Sequence, residues 1–134
     1  MDDILLLFLD MEKRFINLSN HPISTWTDQQ LEAAQAIGNL EEMSFPEINP
    51  MDGEKEIYAL AETYKKRIVE MRNTCDVLSV HLMGEMTFTF SLVHKLTALG
   101  IDCYASTSKR MVSLNADGDK IVHFEFARFR KYLL

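Results

Sequence analysis

Residues 77–96 read VLSVHLMGEMTFTFSLVHKL. From Val77 to Met83 the chain reads as a strand with little polar alternation, the pattern of a strand covered on both faces, as in a parallel sheet. Gly84 and Glu85 interrupt it, and from Phe88 onward Leu92, Val93, Leu96 and Leu99 return at helical spacing until Gly100. A buried strand that passes through a glycine into a helix is one unit of an α/β fold.

Upstream, Ile57, Leu60, Ala61, Tyr64 and Ile68 follow the spacing of an amphipathic helix over Glu54–Arg72. Pro50 and Gly53 mark the loop before it. STWTDQQLEAAQAIG predicts a helix of about three turns, with Thr27 or Asp28 as N-cap and Gly38 as its stop. RFINLSN, Arg14 to Asn20, reads as a strand running into a Ser-Asn-His-Pro turn, and LEEMSFPEI as a short edge strand before Pro46.

Downstream, IDCYAST reads as the fourth strand, followed by a loop from Ser106 to Arg110. The Asp-Gly signal in SLNADGDKIV and the alternation in KIVHFEFARFRKY place two strands with no room for a helix between them, so they pair antiparallel. The expected fold is α/β: a Rossmann-like, mostly parallel sheet flanked by helices, with a C-terminal antiparallel hairpin. Residues 1–134 read as a single domain, in which residues 1–13 form an N-terminal arm. Its apolar run, Ile4 to Leu9, is far shorter than the ~20 residues of a membrane-spanning helix and lacks the flanks of a signal peptide. A short helix, an extra strand or a dimer-contact arm are the readings open to it.

With a formal net charge of −6 the chain has no overall basic field to hold duplex DNA or an anionic membrane. Cys75 and Cys103 lack CxxC spacing and make no disulfide framework, which makes a reducing cytoplasm the expected compartment. The four histidines show no metal-ligand spacing, and His81 inside a strand, His94 inside a helix and His123 in the last strand read as core or surface histidines. Neither a P-loop nor a GxGxxG fingerprint is present, and no nucleophile elbow is recognisable.

In parallel sheets, ligands sit outside the carboxyl ends of the strands. Those ends carry Ser19, Asn20 and His21 after the first strand, Gly84, Glu85 and Thr87 after the third, and Thr107, Lys109 and Arg110 after the fourth. Gly84 lets backbone approach a ligand, and the following helix N-terminus favours an anion such as phosphate. The bland reading of the pair is close packing at Gly84 and a charge favourable to the helix dipole at Glu85. Lys109 and Arg110 read equally as a phosphate clamp or as solvated charges.

FINLSNHPISTWTDQQLEAA, GEMTFTFSLVHKLTALGIDCYASTSKR and the terminal FEFARFRKY resemble small CRISPR-associated proteins of Rossmann-like fold, the CARF-like and ring-nuclease-like proteins of type III systems. The resemblance runs from Phe15 to Tyr132. It implies a homodimer that presents its carboxyl-end loops across the two-fold axis to a cyclic oligoadenylate, and a metal-independent cleavage in which a ribose 2′-hydroxyl attacks the adjacent phosphate. On that resemblance His21 and Lys109 are the catalytic candidates, as leaving-group acid and phosphate-neutralising cation. Ser19, Asn20, Gly84, Glu85, Thr87, Thr107 and Arg110 are the ligand-binding ones. No cofactor or metal is expected. Two other classes stay open: a domain for another nucleotide or phosphorylated metabolite, and an interaction subunit whose aromatic last strand and N-terminal arm serve assembly.

Overall fold

The computed structural model describes residues 11–134. The Ile4–Leu9 run, and with it most of the expected arm, lies outside the described residues. Among the described residues the order is β1 (Lys13–Ser19), α1 (Asp28–Ile37), β2 (Asn39–Glu42), α2 (Glu54–Arg72), β3 (Val77–Met83), α3 (Met86–Ala98), β4 (Cys103–Leu114) and β5 (Lys120–Lys131). A 3₁₀ turn, Ile23–Thr25, precedes α1. The sheet order is β2-β1-β3-β4-β5, parallel from β2 to β4, with β5 antiparallel to β4. The α/β expectation holds, with the terminal hairpin as its antiparallel part.

Local chemistry sets the helix ends. Thr27 caps α1 by accepting from the Gln30 amide at 3.3 Å, and Gly38 follows its last residue. Glu56 reaches back to the Gly53 amide at 3.0 Å to close the start of α2. Each such cap contributes about 1 kcal/mol.

Period-two alternation divides the sheet into two faces. Ile16 and Leu18 of β1 and Leu78, Val80 and Leu82 of β3 pack in one cluster with Ile57, Ala61, Tyr64 and Ile68 of α2 and Phe88, Leu92, Val93 and Leu96 of α3. On the other face Phe15, Trp26, Ala34 and Phe129 form a smaller aromatic cluster beneath α1. Fully burying a ring such as Phe15 or Phe88 stabilises the fold by roughly 1.5–3 kcal/mol. Leu78 to Leu82 are all buried, so β3 is covered on both faces as its composition implies. The face toward α1, however, carries Ser79 and His81 in place of apolar residues.

One expectation is corrected. No loop separates Ser106 from Arg110, because β4 continues to Leu114, held by β5 from Tyr104↔Lys131 to Leu114↔Lys120, with one irregularity between Thr107 and Ser108. The Ser-Thr-Ser-Lys-Arg cluster has loop-like composition, but ladder hydrogen bonds from β5 override it. The strands are joined through Asn115–Asp119, where Gly118 takes φ +81°, a conformation that favours glycine.

Candidate functional site

The strand order reverses between β1 and β3, and there the Asn20 amide donates to the Met83 carbonyl at 3.1 Å, tying two carboxyl ends together. Beneath this switch point a row of polar side chains crosses the sheet on the α1 side. Asn17 sits in register with Glu42 on β2 and with His81 on β3. Its Nδ2 donates to Glu42 Oε2 at 3.0 Å and to the His21 carbonyl at 2.9 Å. Asn17 Oδ1 lies 2.8 Å from His81 Nδ1 and accepts from Ser19 Oγ at 2.8 Å, and His81 Nε2 lies 3.1 Å from Ser106 Oγ on β4. Asn17 and His81 are both fully buried. Trp26, Phe15 and Phe129 surround the imidazole, the first edge-on with centroids 5.4 Å apart. Burial, with a smaller repulsion from His21, pushes the pKa of His81 down to about 4, so the ring is neutral at physiological pH.

Ser106 carries this row to the surface. It lines a cleft of about 230 Å³ together with His21, Thr25, Trp26, Thr27 and Gln30 on one side, and Met83, Thr107, Ser108, Phe124 and Phe126 on the other. The three segments expected to converge at the strand ends do converge here, through His21, Met83 and Ser106–Ser108. The lining is hydroxyls, an amide, an imidazole and aromatic rings. Phe124 is 67% exposed, so little of its ring is spent on packing within the chain.

The expected residues divide among three fates. His21 and Thr107 line the cleft. The Thr107 hydroxyl donates to the Arg128 carbonyl at 3.1 Å. Beyond its imidazole, His21 offers a backbone carbonyl that accepts from Asn17 Nδ2 and from Trp26 Nε1 at 3.0 Å, fixing the turn over the buried row. Ser19 is buried and occupied by Asn17 and the His21 backbone, while Asn20 is exposed beside the cleft.

The anion site expected at Gly84, Glu85 and Thr87 is corrected. A Cβ on Gly84 would overlap the Phe45 ring, so the space above the glycine belongs to close packing. The Glu85 carboxylate accepts from the Thr87 and Phe88 amides at 3.0 and 2.8 Å and from the Thr87 hydroxyl, filling the N-terminus of α3 with its own negative charge. The bond from the Thr87 hydroxyl, then the Phe88 amide, holds the Glu85 carboxyl below its ordinary range. The clamp expected of Lys109 and Arg110 is corrected too, since adjacent residues of a strand point to opposite faces. Arg110, opposite Phe124, shares the face of Ser106 and the cleft, and Lys109, opposite Glu125, is on the other.

Sequence reasoning missed the role of Asn17 and His81, gave Trp26 no part in a site, and placed Ser106 among the hydroxyls of the rim without giving it a role of its own. Two polar residues at the centres of buried strands are a visible signal, but the register that joins them is not. A wider groove between α2 and α3 competes with the cleft less than its size suggests. Its charges already satisfy one another, with Lys95 3.0 Å from Glu62 and lying over the Tyr58 ring. Lys65, then Lys95, lowers the Glu62 pKa to about 2. Both cysteines are free thiols, and burial pushes Cys103 up to about 12, far from a reactive thiolate. Among the described residues no group of three or more His, Cys, Asp or Glu is placed to hold a metal ion, and no helix is long and apolar enough to cross a membrane.

A family model described as the Uncharacterized protein MJ1673 family matches residues 13–130. No curated protein matches the chain. The family match begins at the first residue of β1 and ends one residue before the end of β5, taking in every strand that lines the cleft, and the chain belongs to the MJ1673 family.

Proposed function

We propose that this protein binds a nucleotide at the carboxyl ends of β1 and β3, beside the middle of β4, and that the ligand is a cyclic oligoadenylate shared across a homodimer. The observation that carries the reading is the exposed Phe124 ring at the edge of a polar cleft, at the switch point of a parallel sheet. Base–aromatic stacking contributes about 1–3 kcal/mol per base and needs an unoccupied ring face. At about 230 Å³ the cleft is smaller than the ~300–1,000 Å³ of sites that take a whole drug-sized molecule. It suits one nucleotide unit of a larger ring, and a two-fold assembly would offer a repeating ligand two such clefts.

The chemistry available for cleavage is limited to positioning, proton transfer and charge. An imidazole at His21 can give a proton to a leaving ribose oxygen, and Arg110, on the cleft face, can pair with phosphate oxygens. A 2′-hydroxyl held in line with the neighbouring phosphate then attacks phosphorus and gives its proton to solvent, the P–O5′ bond breaks, and the products are a 2′,3′-cyclic phosphate and a 5′-hydroxyl that carries the proton from His21. The family's description names no activity, so support comes from this geometry and from the resemblance of the sequence.

The test is incubation with cyclic tri-, tetra- and hexa-adenylate without added metal, followed by melting temperature and by product analysis. A rise in melting temperature with one ring size is expected. A shift with other nucleotides alone would move the reading to a general nucleotide domain, and no shift with any nucleotide would sink it. The assembly alternative is favoured by one observation, the exposure of Val112, Leu114, Ile121 and Val122 on the terminal hairpin.

A further inference from the structure

Ser106 both lines the cleft and ends the buried row, and the row dictates where its hydroxyl proton points. Asn17 Nδ2 faces the His21 carbonyl and the Glu42 carboxylate, two groups that accept and do not donate. Reversing the amide would set oxygen against oxygen at 2.9 and 3.0 Å, so Asn17 Oδ1 must face His81. An oxygen at 2.8 Å from Nδ1 requires the ring hydrogen there, since a neutral imidazole carries only one, and Nε2 is left with a lone pair. The Ser106 hydroxyl, 3.1 Å from that lone pair, gives its single hydrogen to His81. Met83 Sδ, 3.2 Å from the same oxygen, is a weaker acceptor and does not compete. The neutral state of the buried ring agrees with this assignment.

With its proton turned inward, Ser106 has only lone pairs to offer the cleft. We propose that Ser106 is a specificity-determining hydrogen-bond acceptor, held in that role by the Glu42–Asn17–His81 row, and that the cleft therefore selects a ligand group that donates. The ligand class rests on the nucleotide reading above, in which the donor is the exocyclic amine of a base such as adenine.

Two measurements test this. Long-range ¹⁵N–¹H NMR of the His81 ring in the free protein reads the tautomer, and the Nδ1–H form is expected from pH 6 to 8. Calorimetric titration with AMP and with purine riboside 5′-monophosphate, which lacks the amine, reads the selection. AMP is expected to bind roughly tenfold more tightly to the wild type, the scale of one hydrogen bond to a buried partner. Ser106→Ala should abolish the preference and Ser106→Thr, which keeps the hydroxyl, should retain it. Equal binding of the two nucleotides to the wild type, or a preference that survives in Ser106→Ala, overturns the proposal. An Nε2–H tautomer overturns it whether or not either nucleotide binds. If neither nucleotide binds, the selecting role of Ser106 is overturned, while the cyclic oligoadenylate reading stands or falls by its own melting-temperature test.

Discussion

Phe45 packs edge-on against Phe88 with ring centroids 5.3 Å apart, and its ring covers the backbone at Gly84. A methyl group at position 84 has nowhere to go unless that ring swings away, and overpacking of this kind typically costs about 1–3 kcal/mol. Gly84→Ala should therefore lower the melting temperature by several degrees, and most of that loss should vanish in a Phe45→Ala background. Additive losses in the double-mutant cycle would show that the two positions do not share the space. His81 makes the other residue-scale prediction. Its pKa when folded is about 4, below the ordinary 6.5, so between those values the unfolded chain binds the extra proton. The stability tied to keeping His81 neutral is complete above pH 6.5 and is lost as pH falls toward 4, with a full span on the order of 3 kcal/mol. Urea unfolding from pH 7 to 4.5 should show this slope in the wild type and a flattened one in His81→Gln.

At the scale of elements, the distal halves of β4 and β5 form a two-stranded ribbon that extends past the last residue of β3 paired with β4. Beyond Ser108 nearly every residue of the ribbon is exposed, Leu114 by 72%, and an isolated hairpin is marginally stable in water. Amides from Met111 to Phe124 should exchange with solvent orders of magnitude faster than those of Phe15 to Leu18 and Leu78 to Leu82. Equal protection of the two sets would mean that the ribbon is covered in solution. The same contrast explains which elements were legible in the sequence. α2 and β3 follow from their own periodicity because packing and pattern agree along their whole length. β4 is misjudged at Ser106–Arg110 because its partner there lies some twenty residues away, and composition reports only local preference. The site was half legible for a related reason: βα topology brings His21, Met83 and Thr107 to one rim, whereas pleat and register decide that Lys109 points away and that Asn17, His81 and Ser106 join.

Across the whole molecule, charge is unevenly distributed. Residues 103–131 hold six Lys or Arg against three Asp or Glu, a net charge of +3, so in a chain of net −6 the remainder carries −9. An anionic ligand approaching from the carboxyl-end side thus meets a cleft whose far wall, the β4–β5 hairpin, is basic, while the body behind it is acidic. Of the cations on that wall, Arg110 is placed to act: it lies on the cleft face of β4, four residues beyond Ser106 and opposite Phe124. Lys109 lies on the reverse face, opposite Glu125. Arg110→Ala should weaken binding of cyclic tetra-adenylate about tenfold, by loss of a charge-assisted phosphate contact, and should reduce the salt dependence of the affinity. Lys109→Ala should change affinity less than twofold, because a screened charge across the sheet acts only through the general field. Both positions are exposed strand residues away from the core, so neither variant should move the melting temperature by more than about 2 °C. Equal losses from the two substitutions would mean that the ligand wraps the ribbon instead of entering the cleft.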